Sequence, residues 1–411
     1  MNRRFKKKCK VMCIQLRFIG FAIITTIFLG CLPAAADTNF RTWVEDFRRQ
    51  AEAQGISRSV YQEAFVNISE PDTLALERAA YQPEFTQKVW DYLDNRVNGL
   101  SISRGAKMRA IHVDTLSLIE AEYGVSASVI LAIWSMESNY GLVLEKKHRL
   151  HYVPQALATL AWGDPKRGTF GRNQLIAALK ILQAGDISRD GLLGSWAGAM
   201  GHTQFIPTSY LAYGVDFDGD GRRDIWNSIP DALATAANLL AKNGWRSGRT
   251  WGYEVEMPAT AGLYDGQTKT LAEWQALGFT RPGGKKFPRQ DERAELKILA
   301  GEKGPGFLMV KNFFVIKKYN NSDYYALAVG LLADRLAGWD GMVQPWPKPA
   351  GSLSFDEKFE IQRLLKNKGF YDGEIDGRLG KGSRQAIRNF QKSSGLPVDG
   401  EPTATVLQAL R

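Results

Sequence analysis

The chain has 411 residues, enough for two domains with a sizeable core, and 44% of them are hydrophobic. Its formal net charge of +10 is unevenly spread: residues 1–36 hold seven Lys/Arg and no Asp/Glu, so the rest carries +3 and loses the main support for a nucleic-acid partner. All three cysteines (Cys9, Cys13, Cys31) lie in that same stretch, which leaves residues 37–411 without disulfides, a thiol nucleophile or Cys-ligated zinc.

Arg3, Arg4, Lys6, Lys7, Lys8, Lys10 and Arg17 form a basic start. An apolar run from Phe18 to Leu29 follows, then Pro33 and Ala34-Ala35-Ala36. That order is a secretory signal peptide with A-x-A cleavage, and the run is short for a membrane span. Residues 1–36 are therefore expected to be a leader that exports the chain to the periplasm or cell envelope. An uncleaved anchor is the alternative and would associate the chain with a membrane; Cys31, with Phe28-Leu29-Gly30 before it, makes a poor lipidation site.

From Phe40 to Leu336 the spacing is mainly that of amphipathic helices, with segments such as Gln174–Gln183 and Pro230–Asn243 as examples. Ser126 is placed to cap a helix reaching Tyr140, with Gly141 as its stop. On it Ile130, Ile133, Trp134, Glu137 and Gly141 share one face, so Glu137 points where the pattern points its hydrophobes. Burial there raises a carboxyl pKa, as a general acid near neutral pH requires. A Glu at the edge of the stripe, reaching solvent or paired with a cation, is the bland alternative. Farther on, residues Gly194–Pro207 pack small side chains around Ser195 and Gln204. Such a backbone can approach a ligand closely while Ser and Gln hydrogen-bond its hydroxyl and amide groups; a tight helix crossing would use the same residues.

Asp216-Phe217-Asp218-Gly219-Asp220-Gly221 opens like an EF-hand loop, but the twelfth position is Asn227 instead of a bidentate Glu. A structural Ca2+ is one reading and a solvated Asp-Gly turn the other. The stretch Trp251–Ile316 is rich in Gly and Pro, with β-prone pieces at Tyr253-Glu254-Val255 and Phe313-Phe314-Val315-Ile316, and is expected to be a small insertion containing strands. Residues 338–353 are punctuated by Pro and Gly, a composition that holds domains apart. The last unit repeats itself. Ile361-Gln362-Arg363-Leu364-Leu365 with Gly369 parallels Ile387-Arg388-Asn389-Phe390-Gln391 with Gly395, and Asp376-Gly377 and Asp399-Gly400 close the halves. A three-helix module follows, and without a cluster of catalytic residue types its expected role is binding. Other chemistries find no motif: the four histidines lack H-E-x-x-H spacing, Ser195 lacks the glycine of a hydrolase elbow, and no P-loop or dinucleotide fingerprint is present.

Three segments in order, Trp134–Gly141, Gly194–Pro207 and Tyr319-Asn320-Asn321-Ser322-Asp323-Tyr324-Tyr325-Ala326, resemble the lytic murein transglycosylase B family over roughly residues 40–336. Residues from Phe355 onward resemble a peptidoglycan-binding domain. The resemblance implies a mainly α chain: a lysozyme-like helical catalytic domain at 37–337 with a small β-containing insertion, a linker at 338–353 and a three-helix domain at 354–411. It implies a single catalytic acid/base, Glu137, with Ser195, Gln204, Tyr319, Asn320 and Tyr325 in the sugar cleft. It also implies an EF-hand-like site, for which the candidate set is Asp216, Asp218, Asp220, Arg222 and Asp231, Asp231 lying one residue off the expected spacing. The cation would be structural and unnecessary for the chemistry. Peptidoglycan strands would be the partner, cut between N-acetylmuramic acid and N-acetylglucosamine with 1,6-anhydro ends. A water-using muramidase and a non-catalytic wall-binding scaffold are the competing readings.

Overall fold

The computed structural model describes residues 39–80 and 87–411, and the expected leader lies outside them. The helical body begins at Phe40–Ala53, whose Phe40, Val44, Phe47 and Ala51 form the buried stripe. Two later helices, Val153–Gly163 and Gly168–Ala184, cross closely. A Cβ on Gly171 would lie 2.6 Å from the Ala161 amide nitrogen, so only glycine permits the approach. The helix Ile229–Lys242 is almost wholly buried alongside.

At the centre lies the helix Ala127–Ser138, here the Glu137 helix, with ten of its residues buried. Because neighbours surround it, the single apolar stripe read from the sequence is really burial on nearly all sides. It also ends two residues earlier than its spacing predicts. Asn139, Tyr140 and Gly141 turn left-handed in succession (φ 52°, 60° and 89°). Side chains hold this costly turn in place: Arg104 Nη1 donates to Asn139 Oδ1 (3.1 Å) and Tyr140 Oη to the Ser101 carbonyl (2.9 Å). Among the described residues no single helix is long and apolar enough to cross a membrane.

Among the described residues six strands occur: β1 His151–Tyr152, β2 Leu193–Gly194, β3 Gly252–Val255, β4 Thr268–Thr270, β5 Arg293–Lys297 and β6 Gly306–Met309. β1 and β2 pair with each other, and the others form an antiparallel sheet in the order β3-β6-β5-β4, with Glu254 opposite Phe307 and Leu296 opposite Leu308. This sheet is the expected insertion, and it has its own core of Val255, Leu271, Trp274, Phe279 and Leu296. The Phe313-Phe314-Val315-Ile316 segment is not a strand. It lies inside the helix Lys311–Tyr319, where Phe313, Val315 and Ile316 are buried against the body; tertiary burial overrides the β-propensity of the run.

The sheet is pinned to the body at Trp251. Its indole Nε1 donates to Asp334 Oδ2 (3.0 Å) and its ring covers Gly330, both on the helix Asp323–Leu336 that packs along the Glu137 helix. The Pro- and Gly-rich segment 338–353 is docked on this body, not an open spacer. Trp346 stacks on Phe307 at 6.1 Å, Glu254 accepts the Val343 and Gln344 amides, and Lys348 pairs with Asp94.

The C-terminal helices Phe355–Asn367, Lys381–Ser393 and Ala404–Leu410 enclose a third core. Its repeat is set by two buried glutamines. The Gln362 Oε1 accepts the Asp376 and Gly377 amides, and the Gln391 Oε1 accepts those of Asp399 and Gly400. The hydrogen bonds equate Gln362 with Gln391, three residues away from the pairing that aligns Ile361 with Ile387. The module touches the body where Asp356 accepts the Gly99 amide and Lys146 pairs with Glu374 (2.9 Å).

Candidate active site

Glu137 sits in the last turn of its helix, beside the left-handed turn. Tyr325, fully enclosed on the helix Asp323–Leu336, donates its hydroxyl to Glu137 Oε1 at 2.6 Å. The helix start is fixed by Ser322, whose hydroxyl accepts the Tyr325 amide. Tyr319, at the end of Lys311–Tyr319, stacks parallel to Tyr325 with ring centroids 6.4 Å apart and donates to the Thr203 carbonyl at 2.6 Å. Phe205 meets the Tyr319 ring edge-on at 5.3 Å. Thr203 and Phe205 flank Gln204, so Tyr319 ties the Gly194–Pro207 loop to Tyr325 and hence to the carboxyl.

The electrostatics follow from this enclosure. Burial pushes the Glu137 carboxyl up from 4.5 to about 7, only partly offset by the Tyr325 hydroxyl and the Arg96 guanidinium, both of which favour the carboxylate. Among the described residues no second carboxylate acts on it. The two tyrosines are pushed well above their ordinary value, by burial first and then by the Glu137 charge, so both stay protonated donors. The arrangement is a carboxyl that holds its proton to near neutral pH, with one hydrogen-bond donor fixing its orientation, which is the chemistry a general acid requires.

The remaining predicted residues fall as follows. Ser195 caps its own turn, its hydroxyl accepting the Ala197 and Ala199 amides at 3.3 and 3.0 Å. Gln204 is held left-handed (φ 50°) and donates to the Gly201 carbonyl at 2.9 Å. Asn320 is exposed at the end of the Tyr319 helix. No hydrogen bond joins Ser195, Gln204 or Asn320 to Glu137 among the described residues.

Three further residues contribute: Arg96, which lies outside the three segments of the resemblance, and His202 and Gly141, which lie inside them with no site role predicted. Arg96 donates to the Met136 carbonyl (3.2 Å) and lies over the Tyr92 ring at 5.6 Å, behind the carboxyl. His202 locks the loop to the Glu137 helix: its carbonyl accepts from Ser138 Oγ (2.6 Å) and its ring from Trp134 Nε1 (3.3 Å). A Cβ on Gly141 would strike that ring at 2.6 Å, which is the physical need for glycine there. Arg96 follows the helix Val89–Asp94 that carries Tyr92, in the turn just beyond its end, where no local pattern singles it out.

In the acidic loop, Asp216, Asp218 and Asp231 bring carboxylate oxygens within 4.8 Å of one another. Asp231, off the expected spacing, is nonetheless the buried centre of the loop and accepts the Phe217, Asp218 and Asp224 amides. Asp220 lies outside this cluster and pairs with Arg222 at 3.0 Å. Three clustered carboxylates supply hard oxygen donors of the kind Ca2+ takes.

The Transglycosylase SLT domain model matches residues 39–334, and the Putative peptidoglycan binding domain model matches residues 358–410. The membrane-bound lytic murein transglycosylase B of Escherichia coli (strain K12) is 34% identical over 233 residues, 54% of this chain and 60% of that protein, so the match spans less than two thirds of that relative. The crystal structure of SltB3 from Pseudomonas aeruginosa in complex with NAG-anhNAM-pentapeptide is 44% identical and covers 91% of this chain and 100% of its own, with a TM-score of 0.72. The Escherichia coli lytic transglycosylase Slt35 in complex with calcium is 26% identical over 74% of this chain and 94% of its own, with a TM-score of 0.60. Family models that cover the helical body and the C-terminal module in turn, and a fold shared across nearly the whole chain, establish that this protein belongs to the SLT-domain transglycosylase family.

Proposed function

We propose that the chain is a peptidoglycan lytic transglycosylase, cleaving the β-1,4 bond between N-acetylmuramic acid and N-acetylglucosamine, with Glu137 as its one acid/base. The observation that carries this reading is the Glu137 carboxyl, pushed up to about 7 by burial, held by Tyr325 and, among the described residues, without a second carboxylate acting on it. Protonated Glu137 donates to the glycosidic oxygen as the C1–O bond breaks, releasing the 4-hydroxyl of N-acetylglucosamine. The resulting carboxylate takes the proton of the muramoyl 6-hydroxyl, whose oxygen closes on C1. The carboxyl ends protonated, as it began, and no water is consumed. A two-carboxylate glycosidase needs its second group to activate water or attack C1, and this reaction needs neither.

Tyr325 orients Glu137, Tyr319 supports the loop, and Ser195, Gln204 and Asn320 offer hydroxyl and amide groups to the sugars. Asp216, Asp218 and Asp231 would hold a structural Ca2+, which would neutralise three clustered anions and take no part in the chemistry. The three-helix module at 354–411 would grip the wall, and the leader at 1–36 would deliver the chain to the envelope. The test is mass spectrometry of muropeptides released from sacculi by residues 37–411. Products with 1,6-anhydro ends are expected. Reducing ends would mean a muramidase, and binding without release a scaffold.

A further inference from the structure

Between the body, the segment 338–353 and the start of the C-terminal module lies a cavity of about 470 Å3, within the ~300–1,000 Å3 usual for small-molecule sites. It is separate from the catalytic centre: none of Glu137, Ser195, Gln204, Tyr319, Asn320 and Tyr325 lines it. Asp334, which does, stands nine residues after Tyr325 on one helix, about 14 Å along its axis at ~1.5 Å per residue. Three parts of the chain form the walls. Ile102, Leu331 and Asp334 come from the body, Asp340, Met342 and Trp346 from the segment, and Asp356 from the module's first helix.

The lining offers two kinds of surface. Ile102, Leu331, Met342 and Trp346 are each only half-buried, so apolar area is left uncovered, and the Trp346 ring is fixed by its stack on Phe307. Nor are the polar groups used up. Asp334 Oδ2 accepts the Trp251 indole, but among the described residues nothing donates to Oδ1. Burial pushes that carboxyl up from 3.8 to about 6 with only the indole to offset it, so at neutral pH it is an anion short of donors. Asp340 is exposed, with no hydrogen bond or ion pair among the described residues. Arg335 gives Nη1 to the Trp339 carbonyl (2.9 Å) and has donors to spare. Charge then selects the ligand class: Asp334 and Asp340 repel an anion, and Arg335 repels a cation. Hydroxyl acceptors, a guanidinium donor and an apolar wall with an indole suit a neutral sugar ring.

We propose that this cavity is a second saccharide site, taking an uncharged N-acetylhexosamine unit outside the catalytic cleft, its hydroxyls on Asp334 and Asp340 and its apolar face on Trp346. This rests on the transglycosylase reading above, which supplies the glycan. Because Asp356 belongs to the module, a sugar seated here touches body, segment and module at once. It thereby fixes the module on the body without occupying the cleft.

The test is equilibrium dialysis of labelled chitobiose, an uncharged dimer of N-acetylglucosamine, against residues 37–411 carrying Glu137→Gln to prevent turnover. Adding Asp334→Asn/Asp340→Ala keeps an acceptor for Trp251. It should weaken one binding event about tenfold or more and leave the rest unchanged. Gly341→Trp, whose new Cβ meets nothing closer than Arg335 Cδ at 3.8 Å, puts an indole at the cavity wall and should remove the same event, so the chain binds one molecule fewer. Binding that matches the parent in both variants, or that falls equally at every site, overturns the proposal. So does displacement of that one molecule by ethylammonium, which would make the cavity a cation site. The transglycosylase reading fails separately, if the chain with Glu137 intact releases no 1,6-anhydro muropeptides from sacculi.

Discussion

Replacing Glu137 by Gln keeps the shape of the side chain and the acceptor for Tyr325, and removes the proton. Activity should fall by about a thousandfold or more, since one group supplies both the acid and the base step. Stability should move the other way. The folded carboxyl keeps its proton up to about 7 while the unfolded one loses it near 4.5, so the folded state binds more protons between those values. The stabilisation this brings is complete below 4.5 and is lost as pH rises through 7; a shift of roughly 2.5 units corresponds to about 3 kcal/mol at most. Near pH 8, where the wild type must bury a charge, Glu137→Gln should therefore be the more stable protein by up to about 3 kcal/mol, and near pH 4.5 the two should melt together. Denaturant or thermal melts at both pH values, run beside a muropeptide release assay, read both effects. A variant that still cleaves, or that melts below wild type at pH 8, would refute the reasoning.

Tyr325→Phe removes the 2.6 Å bond that favours the Glu137 carboxylate, so the alkaline limb of the pH–rate profile should shift upward while kcat drops about tenfold; an unmoved limb would separate Tyr325 from the carboxyl. Millimolar Ca2+ should raise the melting temperature of the wild type and leave Asp231→Asn unmoved, because Asp231 joins Asp216 and Asp218 in one cluster; a wild type indifferent to both Ca2+ and chelator would remove the cation from the account. Gln362→Ala should unfasten the Asp376-Gly377 turn at a cost of about 1–3 kcal/mol, lowering retention on sacculi while cleavage of short soluble strands persists; retention equal to wild type would deny the module its binding role.

The helical body, the β-containing insertion and the three-helix module were legible because their signals are local. Capping residues, three- and four-residue apolar spacing and Gly/Pro punctuation act within a turn or two of the chain. Glu137 stood out by the same logic, a carboxylate in a run of hydrophobes. The acidic loop was legible in part, since Asp216 and Asp218 lie two residues apart, whereas Asp231 joins them only once its helix is folded back.

What the local code misread shows where it stops. Phe313-Phe314-Val315-Ile316 has the composition of a strand, yet the body offers it a socket of helical shape. The segment 338–353 reads as a spacer, yet Trp346 and Lys348 find partners in Phe307 and Asp94, far away in the chain. The acidity of Glu137 belongs to this class too. The sequence determined that a carboxylate would occupy the end of an apolar helix. Only the tertiary structure decided that it would hold its proton to near neutral pH, because desolvation comes from packed neighbours. Tyr325 and Arg96, which tune it, stand 188 and 41 residues away along the chain and meet it only on folding.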